Sequence, residues 1–173
     1  MEPQSRRTAV GSSFIAMRRK DREVTNEADI RAILGKAQVL HLAMIDGDRP
    51  YVVPLHYGYT LTDGRLTLYL HSAKEGRKLD VLRQNDRVAF VLETDVSLVS
   101  GGDIPCKYGA AYASVMGEGR ATILTDPVEK TDALTMLMKT QTGRNFYITE
   151  AMTDTVAVLR IDVEAFTAKA RQI

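Results

Sequence analysis

The stretch His71-Ser72-Ala73-Lys74-Glu75-Gly76-Arg77-Lys78-Leu79-Asp80-Val81-Leu82 gathers a histidine, a hydroxyl and three cations where an apolar strand pattern gives way to a helical one. Ser72 and Glu75 have the spacing of a capping box, which predicts Ser72 as the N-cap of a helix running to about Gln84. Lys74, Arg77 and Lys78 would then occupy its first turns. Cations at the positive end of a helix dipole cost roughly 0.3–1 kcal/mol each. Two explanations fit. Either an anion such as a phosphate is held there by free backbone N–H groups, the Ser72 hydroxyl and the basic side chains together, or the turn is a solvated basic face. Gly76 would let backbone come close to such a ligand.

Other residues with chemical potential are more scattered. His41, His56 and His71 stand about 15 residues apart on separate strand patterns, which is not metal-ligand spacing, so no metal site is expected. Cys106 precedes Lys107 in a loop with no identifiable partner histidine and reads as a plain thiol. Pro54 interrupts a strand pattern; it cannot donate to a ladder, so it marks an edge, a bulge or the point where pairing stops. A flat ligand could lie against such a gap. Gly117 and Gly119 share one strand face, which suggests a bulge or a close approach by another body. Their G-x-G lacks the third glycine and following helix of a dinucleotide fingerprint. Met136 to Met138 reads as helix core.

The elements that position these residues follow from periodicity. Asn26 or Thr25 can cap a short helix with Ile30, Ile33 and Leu34 on one face. Gln38 to Ile45 reads as a strand apolar on both faces, as suits a strand covered on two sides. Asp46-Gly47 and Asp63-Gly64 are hairpin turns linking it to strands at Pro50–Tyr59 and Leu66–His71. After the helix, Arg87 to Glu93 is a fourth strand, Thr94 to Lys107 a long loop, and Tyr108 to Leu124 a long glycine-marked strand. Asp126 caps a helix with Pro127 at its first position and Gly143 at its end. Arg144 to Asp154 carries no clear pattern, and Val156 to Val163 is the last strand. This order predicts a mainly β fold, a six-stranded antiparallel barrel with helices packed outside.

Composition bounds the partners. The chain has 173 residues, 45% of them hydrophobic and 26% charged, as expected for one globular domain, with residues 1–16 read as a disordered extension. A net charge of +1 gives no field for nucleic acid or an anionic membrane, so neither partner is expected. One cysteine excludes an internal disulfide and fits a cytoplasmic setting. No apolar run approaches the roughly 20 residues of a membrane span.

Three motifs in register carry a resemblance. Pro50-Tyr51-Val52-Val53-Pro54-Leu55, then His71-Ser72-Ala73-Lys74-Glu75-Gly76-Arg77-Lys78, then Ser114-Val115-Met116-Gly117-Glu118-Gly119-Arg120-Ala121 resemble the nitroimidazole-resistance proteins, flavin-binding relatives of pyridoxamine phosphate oxidase. Met17-Arg18-Arg19-Lys20-Asp21-Arg22-Glu23 is similar to that family's start. The resemblance implies a single split-barrel domain over residues 17–173, assembled as a homodimer with FMN sites at the interface. It implies that the backbone of Val52, Val53, Pro54 and Leu55 lies along the isoalloxazine ring, and that Ser72, Lys74, Arg77 and Lys78, with His71, hold the phosphate end. Gly117 would help shape the ring pocket. Family members often carry Arg or Glu where this chain has Ala113, so a charged contact from that position is missing.

The function implied is two-electron transfer through FMN, from a donor such as a nicotinamide nucleotide to a small organic acceptor such as a nitroimidazole or another nitro-aromatic. His71 is the catalytic candidate. It lies opposite in pleat to Leu66, Leu68 and Leu70, and a neighbouring phosphate would favour its charged form. His71 could instead only hydrogen-bond locally. The competing class is a non-catalytic carrier or sensor that binds flavin or haem.

Overall fold

The computed structural model describes residues 17–171; the extension expected at residues 1–16 lies outside them. After a 3-10 turn at Lys20–Arg22 come β1 (Glu23–Val24), α1 (Glu27–Lys36), β2 (Val39–Asp46), β3 (Arg49–Thr62), β4 (Arg65–Ser72), α2 (Arg77–Gln84) and β5 (Arg87–Val99). A second 3-10 turn at Pro105–Lys107 leads to β6 (Gly109–Ile123), α3 (Pro127–Thr142), the short α4 (Glu150–Thr153) and β7 (Ala157–Arg171).

All strand pairings are antiparallel, in the order β7-β4-β3-β2-β5-β6, and β6 pairs back onto β7. Six strands thus close into a barrel, with β1 added beside the end of β7. Leu40, Leu42, Met44, Leu66, Leu68, Leu70, Phe90, Leu92 and Val115 alternate into the interior. Ile30, Ile33 and Leu34 of α1 and Leu79, Val81 and Leu82 of α2 join that same core, so these two helices pack into the barrel's interior cluster. α3 alone makes a long contact with the outer wall. There β3 has Gly58, where a Cβ would stand 2.4 Å from the backbone of Leu137. The helix can lie this close only because Gly58 has no side chain.

The two Asp-Gly hairpins, α1 and α3 form where the local pattern places them. Asn26 and Asp126 each accept two backbone N–H bonds as N-caps, and Gly143 ends α3 at φ 69°. Three expectations fail. The first part of the loop expected over Thr94 to Lys107 is strand: β5 passes a register shift between Thr94 and Ser97, with Asp95 at φ 57°, and continues to Val99 against β6, and the loop is confined to the residues after it. The last strand runs on to Arg171, because its second half pairs with β6 rather than β4. The helix expected from Ser72 begins at Arg77; Ser72 instead ends β4, paired with Ala157 of β7. The pattern-free segment after Gly143 contains α4, capped by Thr149.

Candidate functional site

The site is made by strands that part. β3 pairs with β2 along Arg49–His56 and with β4 only along Tyr57–Thr62. The side of Val52, Val53, Pro54 and Leu55 turned away from β2 therefore has no strand partner. Pro54 sits within this unpaired stretch, as its missing N–H requires. Tyr51, Val53 and Leu55 point back toward the core, while Val52 and Pro54 face out. Beyond the last β3–β4 rung, β4 ends at Ser72 and the chain turns through Ala73-Lys74-Glu75-Gly76 into α2.

That turn borders an open niche of about 200 Å3 lined by Tyr51, Ser72, Ala73, Glu75, Gly76, Arg77, Lys78 and Leu79. Ser72, Arg77 and Lys78 thus come together as the sequence suggests, with Tyr51 as an unforeseen wall. Lys74 is exposed and does not line the niche. Gly76 takes the N-cap position at φ 133°, and no side chain caps α2. The Ser72 hydroxyl donates to the carbonyl of Ala73 at 2.9 Å, so its predicted capping role is replaced by a local bond at the strand's end.

The two cations at the helix start differ. Arg77 is exposed, its guanidinium 4.4 Å from the centre of the Tyr51 ring, and Nε and Nη2 donate to Asp46 at 2.8 and 2.7 Å. Lys78 is half-buried, and no carboxylate among the described residues lies within ion-pair distance of it. Burial pushes its ammonium below the usual lysine value. A half-buried, unpaired ammonium beside an uncapped helix start is the electrostatic complement of an anion.

His71 stands where β3 and β4 separate, on the outer side of the sheet as its pleat predicts. Its surroundings in the chain work against the charged form expected for it: burial first, then the positive charges of His56 and Lys78, lowers its pKa. Nδ1 is buried with no hydrogen-bond partner. His56 is held differently: its Nδ1 lies 3.0 Å from the Gln38 carbonyl and 3.1 Å from Gln141 Oε1, while Gln141 Nε2 donates to the Tyr57 carbonyl.

Gly117 stands away from this surface. It faces the barrel interior, where a Cβ would meet the Ala165 carbonyl at 2.5 Å and the Phe90 ring at 2.8 Å. Gly119 meets the Asp162 carbonyl at 2.3 Å, at a bulge that leaves Glu164 unpaired opposite β6. Both glycines are accounted for by the chain's own packing. Ala113 is 8% exposed and belongs to the core, so a charged residue here would be buried in the barrel.

One outer face is left without a helix. Pro54, His41, Val91 and Met116 form one row across β3, β2, β5 and β6, and Val52, Ala43, Ala89 and Glu118 the next. Val52 is 54% and Met116 43% exposed. The second covering layer expected over β2 is thus absent from the single chain. Only the closed barrel shows that these residues of four strands share one uncovered wall.

No helix among the described residues is long and apolar enough to cross a membrane. The family model for pyridoxamine 5'-phosphate oxidase matches residues 26–170. No curated protein matches the chain. Among solved structures, a protein from Bacteroides thetaiotaomicron described as a candidate 5-nitroimidazole antibiotic resistance protein is 30% identical over 85% of either chain, with a TM-score of 0.71. The flavocytochrome Anf3 from Azotobacter vinelandii shares the fold at 19% identity and a TM-score of 0.71, over 91% of this chain and 72% of that one. So does an FAD-binding protein from Mesorhizobium loti, at 23% identity and a TM-score of 0.60, over 86% of this chain and 96% of that one. The family match spans most of the barrel, both strands that part and the turn between β4 and α2, and the chain belongs to the pyridoxamine 5'-phosphate oxidase family.

Proposed function

We propose that the protein is an FMN-binding oxidoreductase that works as a homodimer, taking electrons from a nicotinamide nucleotide and passing them to a small organic acceptor, with nitroimidazoles and other nitro-aromatics as the favoured class. The observation that carries the reading is Lys78: a half-buried ammonium with no carboxylate partner, lining a niche at an uncapped helix start. A terminal phosphate supplies the missing charge. Family membership and the likeness to the Bacteroides protein support the choice of a flavin and of the acceptor class.

In this reading Ser72, Arg77 and Lys78 hold the phosphate, with Lys74 adding charge from the solvent side. The unpaired backbone of Val52, Val53, Pro54 and Leu55 lies along the edge of the ring system. Bound FMN supplies the two-electron chemistry. His71 is the catalytic candidate beside that site; burial and the neighbouring His56 and Lys78 lower its pKa in the chain alone, and a bound phosphate would act in the opposite direction. Gly117 acts through the shape of β6 rather than by contact. The uncovered wall around Val52 and Met116 supports the homodimer, since a second copy would bury it and close the open side of β3. A cytoplasmic setting, where nicotinamide nucleotides are at hand and the free Cys106 stays reduced, belongs to the same reading.

The test is an absorption spectrum before and after incubation with FMN and desalting, followed by anaerobic addition of NADH or NADPH and then a nitroimidazole. Retained flavin absorbance that bleaches with the nucleotide and returns with the acceptor is the expected result. Retained flavin that no donor reduces points to a carrier or sensor, and a haem band to a haem protein. A protein colourless after both steps overturns the flavin reading.

A further inference from the structure

Between the C-terminal halves of α1 and α3, with the last residues of β3 as its floor, lies an open cleft of about 510 Å3. It shares no residue with the niche beside Lys78. Arg31 of α1 and Lys139 of α3 bring a cation to each wall, and no carboxylate lines it. Arg31 is held in place: Nε and Nη2 donate to Glu27 at 3.1 and 2.7 Å, and Nη2 also donates to the Leu61 carbonyl. Its Nη1 makes no hydrogen bond with the described residues, so a fixed guanidinium keeps two N–H donors to spare. Lys139 has no carboxylate within ion-pair distance among the described residues.

Two further features set this cleft apart. Along α3, Thr131, Thr135 and Thr142 each return their hydroxyl to the carbonyl four residues back, at 2.9, 2.8 and 2.7 Å. Thr140, on the cleft wall, makes no such bond, and neither does the Thr62 hydroxyl on the floor bond to a described residue. The second feature is Gly35, inside the last turn of α1 and on the cleft. Glycine weakens a helix relative to alanine. Nothing within the chain requires it here: its φ is not positive, and a Cβ would stand 3.7 Å from the Tyr59 hydroxyl, an ordinary contact. Gly58, by contrast, is demanded by the Leu137 backbone. Gly35 leaves a bare stretch of helix backbone facing the cleft, where another molecule can come close.

We propose that this cleft binds a small phosphorylated sugar. The phosphate lies between Arg31 Nη1 and Lys139, where two cations face no carboxylate in the lining. The sugar hydroxyls meet Thr62 and Thr140, whose own hydroxyls can donate and accept in turn. The sugar ring lies against the bare backbone at Gly35, with Met136 at its other side. The cleft volume falls within the range of small-molecule sites. The proposal concerns binding alone and does not depend on a flavin.

Ribose 5-phosphate serves as the probe, with ribose and inorganic phosphate as its two halves. The full chain is labelled with 13C at its methionine methyls and titrated at low salt, with and without FMN. The Met136 methyl is expected to shift saturably with ribose 5-phosphate, and more weakly with either half. Met138, which lines a different pocket, is expected to stay in place. Lys139→Gln, at an exposed position, is expected to weaken ribose 5-phosphate about tenfold. Gly35→Ala is expected to raise the melting temperature while weakening the sugar phosphate several-fold, and these opposite signs separate lost binding from lost folding. A silent Met136 methyl, an affinity unchanged in Lys139→Gln, or inorganic phosphate binding as tightly as ribose 5-phosphate would overturn the proposal. The titration without FMN reads the cleft alone, so failure of the flavin reading leaves its outcome intact.

Discussion

Tyr57 and Leu70 form the last rung between β3 and β4. The residues on either side of that rung have different fates. Tyr57 is fully buried, its hydroxyl donating to the carbonyls of Leu34 and Ala37 at 2.7 and 3.2 Å, and it ties α1 to the barrel. His56 and His71, one step on, stand on strands that have separated, with the open edge of β3 on one side and the α3–α4 cavity on the other. The same rung that anchors the core thus opens the site.

The niche makes a ranked prediction. Arg77 already pairs with Asp46, whereas Lys78 has no carboxylate partner. Lys78→Ala is expected to weaken FMN about tenfold or more, the effect of losing a charge-assisted hydrogen bond of ~1.5–3 kcal/mol. Arg77→Ala is expected to cost less. Fluorescence titration of FMN decides; equal affinity in wild type and Lys78→Ala would remove the phosphate assignment.

The uncovered wall predicts an assembly. Val52→Glu and Met116→Glu place charges on positions exposed in the single chain, so folding is expected to survive. Light scattering after size exclusion is expected to show a dimer for wild type and a monomer for the double variant, with FMN binding reduced alongside. A monomeric wild type at micromolar concentration would contradict the interface.

Stability is expected to depend on pH through His71. Burial, then His56 and Lys78, lowers its pKa below the ordinary 6.5. Below pH 6.5 the unfolded chain binds a proton that the folded chain resists, so stability falls as pH drops from 6.5 toward the folded value. Above pH 6.5 both states are neutral and the effect vanishes. His71→Gln is expected to lose less melting temperature than wild type between pH 7.5 and 5.5. An identical acid loss in the two proteins would show that other groups govern this limb.

The seat of α3 can be tested by one methyl group. Gly58→Ala would drive a Cβ into the Leu137 backbone, which cannot rotate away as a side chain could, and about 1–3 kcal/mol or more is expected from such overpacking. Gly47→Ala is the control: it has open space but φ 65°, and should cost about 1 kcal/mol through backbone strain alone. Denaturant melts giving Gly58→Ala the smaller loss would mean that α3 shifts easily off β3.

Elements whose signals are local were legible in the amino-acid order. Alternating apolar residues and the Asp-Gly pairs placed β2, β3 and β4, and Asn26 and Asp126 placed the helix starts, because turns and caps are satisfied within a few residues. The spacing of Lys74, Arg77 and Lys78 beside Ser72 and the break at Pro54 already marked where an anion and a flat ligand could lie. Tertiary structure decided whatever needs a distant partner. Ser72 had capping-box spacing, yet its pairing with Ala157 kept it in the sheet and moved the helix start to Arg77. The far halves of β5 and β7 are strands because β6 supplies their hydrogen bonds, which alternation in either strand cannot reveal. Within Arg144 to Asp154, Phe146, Tyr147, Ile148 and Met152 line one pocket with His71 of β4, a neighbour that only the folded chain brings to them. Whether Lys78 has a carboxylate beside it is likewise a matter of where Asp46 lies, and in the folded chain Arg77 holds that carboxylate.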